Sequence, residues 1–104
     1  MLLLTKKNRK DLPALYANEE KDETEVMAVV KFFTPDSNWT WYATGFDGDD
    51  TFFGFVVGPF PELGYFSLAE LKAARGPWGL PIERDLWFKP TSLEELKKKH
   101  AAIY

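Results

Sequence analysis

Cysteine is absent from the chain. That excludes a disulfide framework, thiolate metal sites and a cysteine nucleophile. Histidine occurs once, as His100, so multi-histidine metal sites and Ser-His catalysis elsewhere in the chain are excluded too. No apolar run approaches the ~18 residues of a membrane span. The opening "MLLLTKKNRK" places only Leu2 to Leu4 before a basic cluster, which is no signal peptide. Walker, dinucleotide-binding, nucleophile-elbow and RNP motifs are all missing. The expectations are a cytoplasmic protein with no membrane association and no cofactor.

Basic residues are missing from one long stretch. Residues 32–71 carry Asp36, Asp47, Asp49, Asp50, Glu62 and Glu70 but no Lys or Arg, within a chain of net charge −3. Such a segment repels nucleic acid unless metal or basic groups intervene. A basic protein partner or a divalent cation suits it better, and nucleic acid is a partner that the charge disfavours.

What is present is ample material for a core. Of 104 residues, 45% are hydrophobic and 16% aromatic, so one domain spanning 1–104 is expected, with disorder confined to the ends and the charged segment 18–25. Thr5 can cap a helix through "KKNRKDL", and Pro13 then breaks or restarts it, with Asp11 placed to cap the second turn. "VMAVVKFF" (26–33) predicts a strand covered on both faces. "TPDSN" (34–38) predicts a turn.

Residues 39–46 and 51–57 flank the Asp-Gly-containing turn "DGDD" and predict a β-hairpin. Gly54 in its second arm signals a bulge or the close approach of another side chain. A short strand near "LGYF" (63–66) follows. Ser67 with Glu70, and Ser92 with Glu95, read as capping boxes. Gly76 reads as a helix stop, with Pro77 beyond it. "IERDLWF" (82–88) reads as an edge strand, and Leu93, Leu96, His100 and Ile103 share one face of the last helix. The sum is an α+β fold: a mainly antiparallel sheet of four to five strands, with two to three helices packed on one face or end.

The stretch "NWTWYATGF" raises the central question of the chain. On a regular strand Trp39, Trp41 and Ala43 point one way, and Tyr42 and Phe46 the other. Either one set is core and the other is covered by the N-terminal segment or connectors, or one set forms an exposed aromatic floor for a ligand or partner. If the tryptophan face is the buried one, Trp41→Ala costs more stability than Tyr42→Ala.

The acids invite a metal-binding reading. A calcium loop beginning at Asp47 would need an acid where Thr51 stands, Gly at Phe52 and Glu at Gly58, so the match fails. A turn kept soluble by carboxylates is the better reading. Asp36, Glu62, Glu83 and Asp85 could bind Mg²⁺ for phosphodiester chemistry, but only if they converge. His100, between Leu96 and Ile103, reads as a packed residue.

The blocks "KFFTPDSNWTWYATGFDGDDTFFGFVVG", "ELGYFSLAEL" and "RGPWGLPIERDLWFKP" resemble the bacterial family called domain of unknown function 2958, from Leu3 to about Leu96. Gly45 departs from a position where such proteins often carry Glu. The resemblance implies a protein of plasmids, phages and integrative elements, found beside replication, mobilisation and DNA-modification genes; some members carry the label single-stranded DNA endonuclease. It implies no catalytic assignment. On the recurring blocks the candidate surface residues are Asp36, Asn38, Trp39, Trp41, Tyr42, Glu62, Tyr65, Arg75, Glu83, Arg84 and Asp85.

Two readings follow, with a third behind them. The first is a non-enzymatic module that binds a protein through an acidic, aromatic surface on the hairpin. The alternative is a metal-dependent single-stranded DNA nuclease or single-strand binder, with Arg75, Arg84 and aromatic stacking holding the strand. The third is a small-ligand pocket near Trp41, Tyr65 and Arg84.

Overall fold

Thr5 opens the first helix by accepting the Asn8 N–H at 3.0 Å, while the Asn8 side chain accepts the Thr5 N–H at 3.0 Å. This reciprocal cap satisfies two of the helix's orphan donors. The computed structural model describes residues 2–101, so the expected place of Ile103 lies outside the described residues. Helix α1, Lys6–Asp11, buries none of its own side chains. It is anchored by its flanks, where Leu3, Leu4 and Leu12 are all buried. No second helix follows Pro13. Residues 15–20 form turns, the Pro13 carbonyl accepts the Phe46 N–H, and Asp11 pairs with Lys7 at 2.7 Å instead of capping.

The remaining elements are β1 (Met27–Ala28), β2 (Val30–Phe33), β3 (Thr40–Phe46), β4 (Thr51–Val57), β5 (Pro61–Ser67), α2 (Leu68–Ala73), β6 (Glu83–Arg84), β7 (Thr91–Ser92) and α3 (Leu93–Ala101). An antiparallel sheet runs in the order β5-β4-β3-β2-β6, and β1 pairs with β7 as a separate ribbon. The fold is α+β. The single strand expected over 26–33 divides at Val29. Val26 and Ala28 pack with Leu93 and Leu96, whereas Val30 and Phe32 pack against the opposite face of the sheet. Only the Phe32 side of β2 is fully buried; Lys31 and Phe33 are half-buried.

Both faces of the sheet are covered, not one. Phe32, Ala43, Phe46 and Phe52 lie under the α1 flanks and under Leu68 and Leu71 of α2. Tyr42, Phe55 and Val57 lie under Leu93 and Leu96 of α3 and under the β1–β7 ribbon. Aromatic residues on both sides of β3 are therefore core on both sides. Strict alternation along β3 fails at one point. Ala43 pairs with Gly54 and Gly45 with Phe53, so Thr44 is an extra residue. That bulge turns Phe46 onto the face of Trp41 and Ala43, away from Tyr42. The extra backbone is satisfied locally: Asn18 donates to the Thr44 carbonyl at 3.1 Å, and the Thr44 hydroxyl donates to the Phe53 carbonyl at 3.1 Å.

The acidic turn serves the fold. Asp47 Oδ1 accepts the N–H groups of Asp49, Asp50 and Thr51 at 2.8–3.0 Å. Asp50 reaches the start of α2, accepting from the Ser67 hydroxyl at 2.6 Å and the Ala69 N–H at 2.8 Å. Ser67 itself accepts the Glu70 N–H at 3.2 Å, so Asp50, rather than the Glu70 side chain, completes this cap. Ser92 accepts the Glu95 N–H in the same way at 3.2 Å. Ser67→Ala and Ser92→Ala are each expected to lower stability by roughly 0.5–2 kcal/mol. Urea unfolding checks this, and Ser67→Ala should be the costlier because it also strips Asp50 of a donor.

These bonds hold the Asp47 carboxyl (through the Asp49 and Asp50 N–H groups) and the Asp50 carboxyl (through Ser67 and the Ala69 N–H) below the usual carboxylate range. Their contribution is therefore present above the ordinary carboxylate pKa and lost as pH falls through the lower folded values.

Candidate interaction surface

Sequence candidates separate into four places once the chain folds. Asp36 is a clamp. Its Oδ2 accepts the N–H of Trp78 at 2.8 Å and of Leu80 at 3.4 Å, tying the 34–38 turn to the connector after α2. Gly76 is where the two segments touch, since a Cβ there would lie 1.6 Å from Asp36 Oδ1. It does not end α2, which stops at Ala73 with Ala74 extended. Arg75 is exposed and donates to the carbonyls of Lys72 and Ala74 at 3.0 and 2.7 Å.

Asn38 and Trp39 line an open groove at one end of β3, which His100 also lines. The Trp39 ring stacks on Trp41 at 5.9 Å between centroids and lies over Gly58. Trp41 is half-buried against the α2 side of the sheet. Tyr42 is only 1% exposed, and its hydroxyl meets His100 Nε2 at 2.8 Å. Burial, and then the charge of Asp85, push the Tyr42 phenol up to about 12.

His100 is 8% exposed, and its Nδ1 has no hydrogen-bond partner among the described residues. Burial first, then Lys99 and Lys31, push the imidazole below its ordinary pKa. A depressed histidine favours the fold fully above the unfolded value of about 6.5, and this contribution is lost as pH falls towards the folded value. The urea midpoint of the parent chain should therefore drop between pH 7 and pH 5. In His100→Phe the drop should be smaller.

Glu83, Arg84 and Asp85 stand together on the β6 edge. They share an open pocket with Lys31, Phe33, Leu86 and Trp87. Asp85 pairs with Lys31 at 3.4 Å and accepts the Trp87 N–H at 2.9 Å, and Arg84 donates to the Leu2 carbonyl. Glu62 and Tyr65 are on β5, at the other edge of the sheet. The four acids Asp36, Glu62, Glu83 and Asp85 thus do not converge, and among the described residues no three His, Asp or Glu side chains are grouped to hold a metal ion. Trp41, Tyr65 and Arg84 do not form a pocket either: Trp41 faces α2, and Tyr65 and Arg84 belong to opposite edges.

A pocket of about 310 Å³ lies where sequence reasoning placed only Tyr65. Its walls are Leu15, Tyr16, Val26, Phe53, Leu63, Tyr65 and Leu93, with Asn18, Glu19, Lys21, Glu23 and Thr44 around them. Phe53 meets Tyr65 edge-on at 4.9 Å. Tyr16 and Tyr65 remain 61% and 59% exposed, so rings and solvent share this mouth. Burial, then the Tyr16 hydroxyl, then the Glu19 carboxylate push the Tyr65 phenol upward, and Glu19 lines the same pocket. Glu23 is paired with Lys97, whereas Glu19 forms no ion pair among the described residues. Only the proximity of "LYANEE" to β5 reveals this pocket, and no local sequence signal encodes that.

Fold and surface together define a small α+β domain whose recesses are open and whose titratable groups are dispersed. The chain belongs to the family described as Protein of unknown function (DUF2958), whose pattern matches residues 3–99. No curated protein and no solved structure matches the chain. Among the described residues no helix is long and apolar enough to cross a membrane.

Proposed function

We propose that the chain is a non-enzymatic protein-interaction module, acting in the cytoplasm of bacteria that carry mobile elements, and that it binds a basic protein. The observation that carries this reading is the mouth formed by Tyr16, Phe53, Tyr65 and Glu19 beside an edge of the sheet. Here exposed aromatic surface coincides with a carboxylate that forms no ion pair among the described residues, a composition that suits cationic partners. The hairpin face itself is a poorer candidate. Tyr42, Phe46, Phe52 and Phe55 are packed in the core, and the acids Asp47 and Asp50 are taken up in turn and cap bonds.

Affinity capture from host extract tests the reading. The parent chain should retain a basic protein at low salt and release it as salt rises, because exposed charges are screened. The Tyr16→Ser/Tyr65→Ser variant should retain little of it. Millimolar Mg²⁺ should leave the melting curve unmoved, since converging acids would bind the ion and raise it by mass action. Mg²⁺-dependent cleavage of single-stranded DNA, abolished by Glu83→Ala/Asp85→Ala in a folded protein, would sink the proposal.

A further inference from the structure

We propose that β5 accepts an added antiparallel or parallel strand from its partner, and that a Lys or Arg of this strand enters the mouth between Tyr16 and Tyr65 against Glu19. The inference deepens the protein-binding reading above and rests on it. The register supplies the first part. Thr51 pairs with Ser67, and the Leu68 N–H donates to the Asp50 carbonyl at 2.8 Å. In an antiparallel ladder this makes 50 and 68 a hydrogen-bonded pair and 51 and 67 a non-bonded one. Counting along the ladder, Glu62, Gly64 and Phe66 face β4 with their peptide groups. Leu63 and Tyr65 therefore turn their N–H and C=O outward, at the end of the sheet order.

The same two residues line the pocket with their side chains. A strand laid on this edge would bond Leu63 and Tyr65 through its backbone and send alternate side chains towards the pocket, which is the geometry of strand addition. Charge names the occupant. Edge strands are commonly guarded by lysine, but β5 carries Glu62 and lies within the stretch that has no Lys or Arg. A second copy of β5 would bring like charges together. A lysine-bearing strand would meet Glu19 and the faces of two tyrosines, and cation–π contact adds to the ion pair. Lys21, on the same rim, forms no ion pair with Glu19 among the described residues.

The test uses a synthetic peptide of alternating valine and lysine, with an alternating valine–glutamate peptide as control. Binding to the full chain is followed by fluorescence anisotropy and by amide NMR. The lysine peptide should bind, shift the Leu63 and Tyr65 amides and slow their exchange. Leu63→Pro removes an outward donor without touching the ladder to β4, and proline is tolerated at such edge positions. It should weaken binding about tenfold or more with little change in melting, and more than Leu63→Ala, which trims the same pocket wall but keeps the outward donor, by the worth of one or two hydrogen bonds. Glu19→Gln should weaken binding and flatten its salt dependence.

Binding of the lysine peptide that is indifferent to Leu63→Pro would overturn strand addition while leaving the protein-binding reading intact. Equal binding of the glutamate peptide would overturn the assignment of a cationic occupant. Failure of both peptides, with capture from extract still dependent on Tyr16 and Tyr65, would overturn this inference alone; loss of that capture as well would overturn both. A concentration-dependent dimer abolished by Leu63→Pro would assign the edge to a second copy of the chain.

Discussion

Tyr42→Ala is expected to cost about 3–5 kcal/mol, the range for removing a fully buried aromatic ring. Trp41→Ala should cost about 2 kcal/mol, because only part of the indole is withdrawn from water. This reverses the order that a buried tryptophan face would give. Tyr42 contacts Phe55, Phe88 and His100 with ring centroids 6.3, 5.7 and 5.5 Å away. Truncation would leave a cavity among these rings and take from the His100 ring the hydrogen bond that its Nε2 makes, the one side-chain partner it has among the described residues. The second loss can be isolated. Tyr42→Phe keeps the ring and should cost about 1–3 kcal/mol, the penalty for a buried polar group left unsatisfied. With a urea m-value of about 1.5 kcal/mol per molar, a 4 kcal/mol loss moves the midpoint by roughly 2.7 M. A midpoint for Tyr42→Ala equal to that of Trp41→Ala would contradict this account of the two faces.

Gly54→Ala should cost about 3 kcal/mol or leave no folded protein, the upper end of overpacking effects. A Cβ at this position would lie 1.9 Å from the Tyr42 carbonyl oxygen and 3.1 Å from the Ala43 Cα. Both are backbone atoms of the central strand β3, so no side chain can swing aside to make room. Backbone has to part, and the β3–β4 ladder and the bulge at Thr44 would shift with it. Gly64 provides the control. It pairs with Gly54 across β4 and β5, yet a Cβ there meets nothing within 4 Å. Gly64→Ala should stay within about 1 kcal/mol of the parent and could even stabilise it by restricting the unfolded chain. Thermal unfolding of the two variants side by side checks the pair, and similar losses in both would mean that glycine is needed for backbone freedom and not for space.

Local chemistry made much of this architecture readable from sequence. Thr5, Ser67 and Ser92 begin helices because a hydroxyl satisfies the free N–H groups of a first turn wherever it stands. The hairpin 40–57 follows from two apolar runs around Asp-Gly, and the lack of cysteine from composition alone. These are interactions between residues a few positions apart, so the sequence states them directly. The family blocks are likewise continuous stretches, and their match over residues 3–99 needs no folding to be seen.

Tertiary structure decided which surfaces meet. A one-residue bulge at Thr44 sent Phe46 to the opposite face from Tyr42, and alternation rules have no means of announcing an extra residue. Gly54 was legible as a close-approach position, but the approaching group is the Tyr42 carbonyl rather than a side chain. Asp50 looked like a solubilising acid and became part of a helix cap 17 positions away. Asp36, Glu83 and Asp85 looked like potential metal ligands and became a clamp and an edge cluster, because no local rule brings turn, connector and edge strand to one point. The pocket at Tyr16, Phe53 and Tyr65 exists only because segment 15–23 folds over β5. The sequence by itself determined the elements and their caps; long-range packing, which is set by shape and by how each face is covered, determined where a partner could bind.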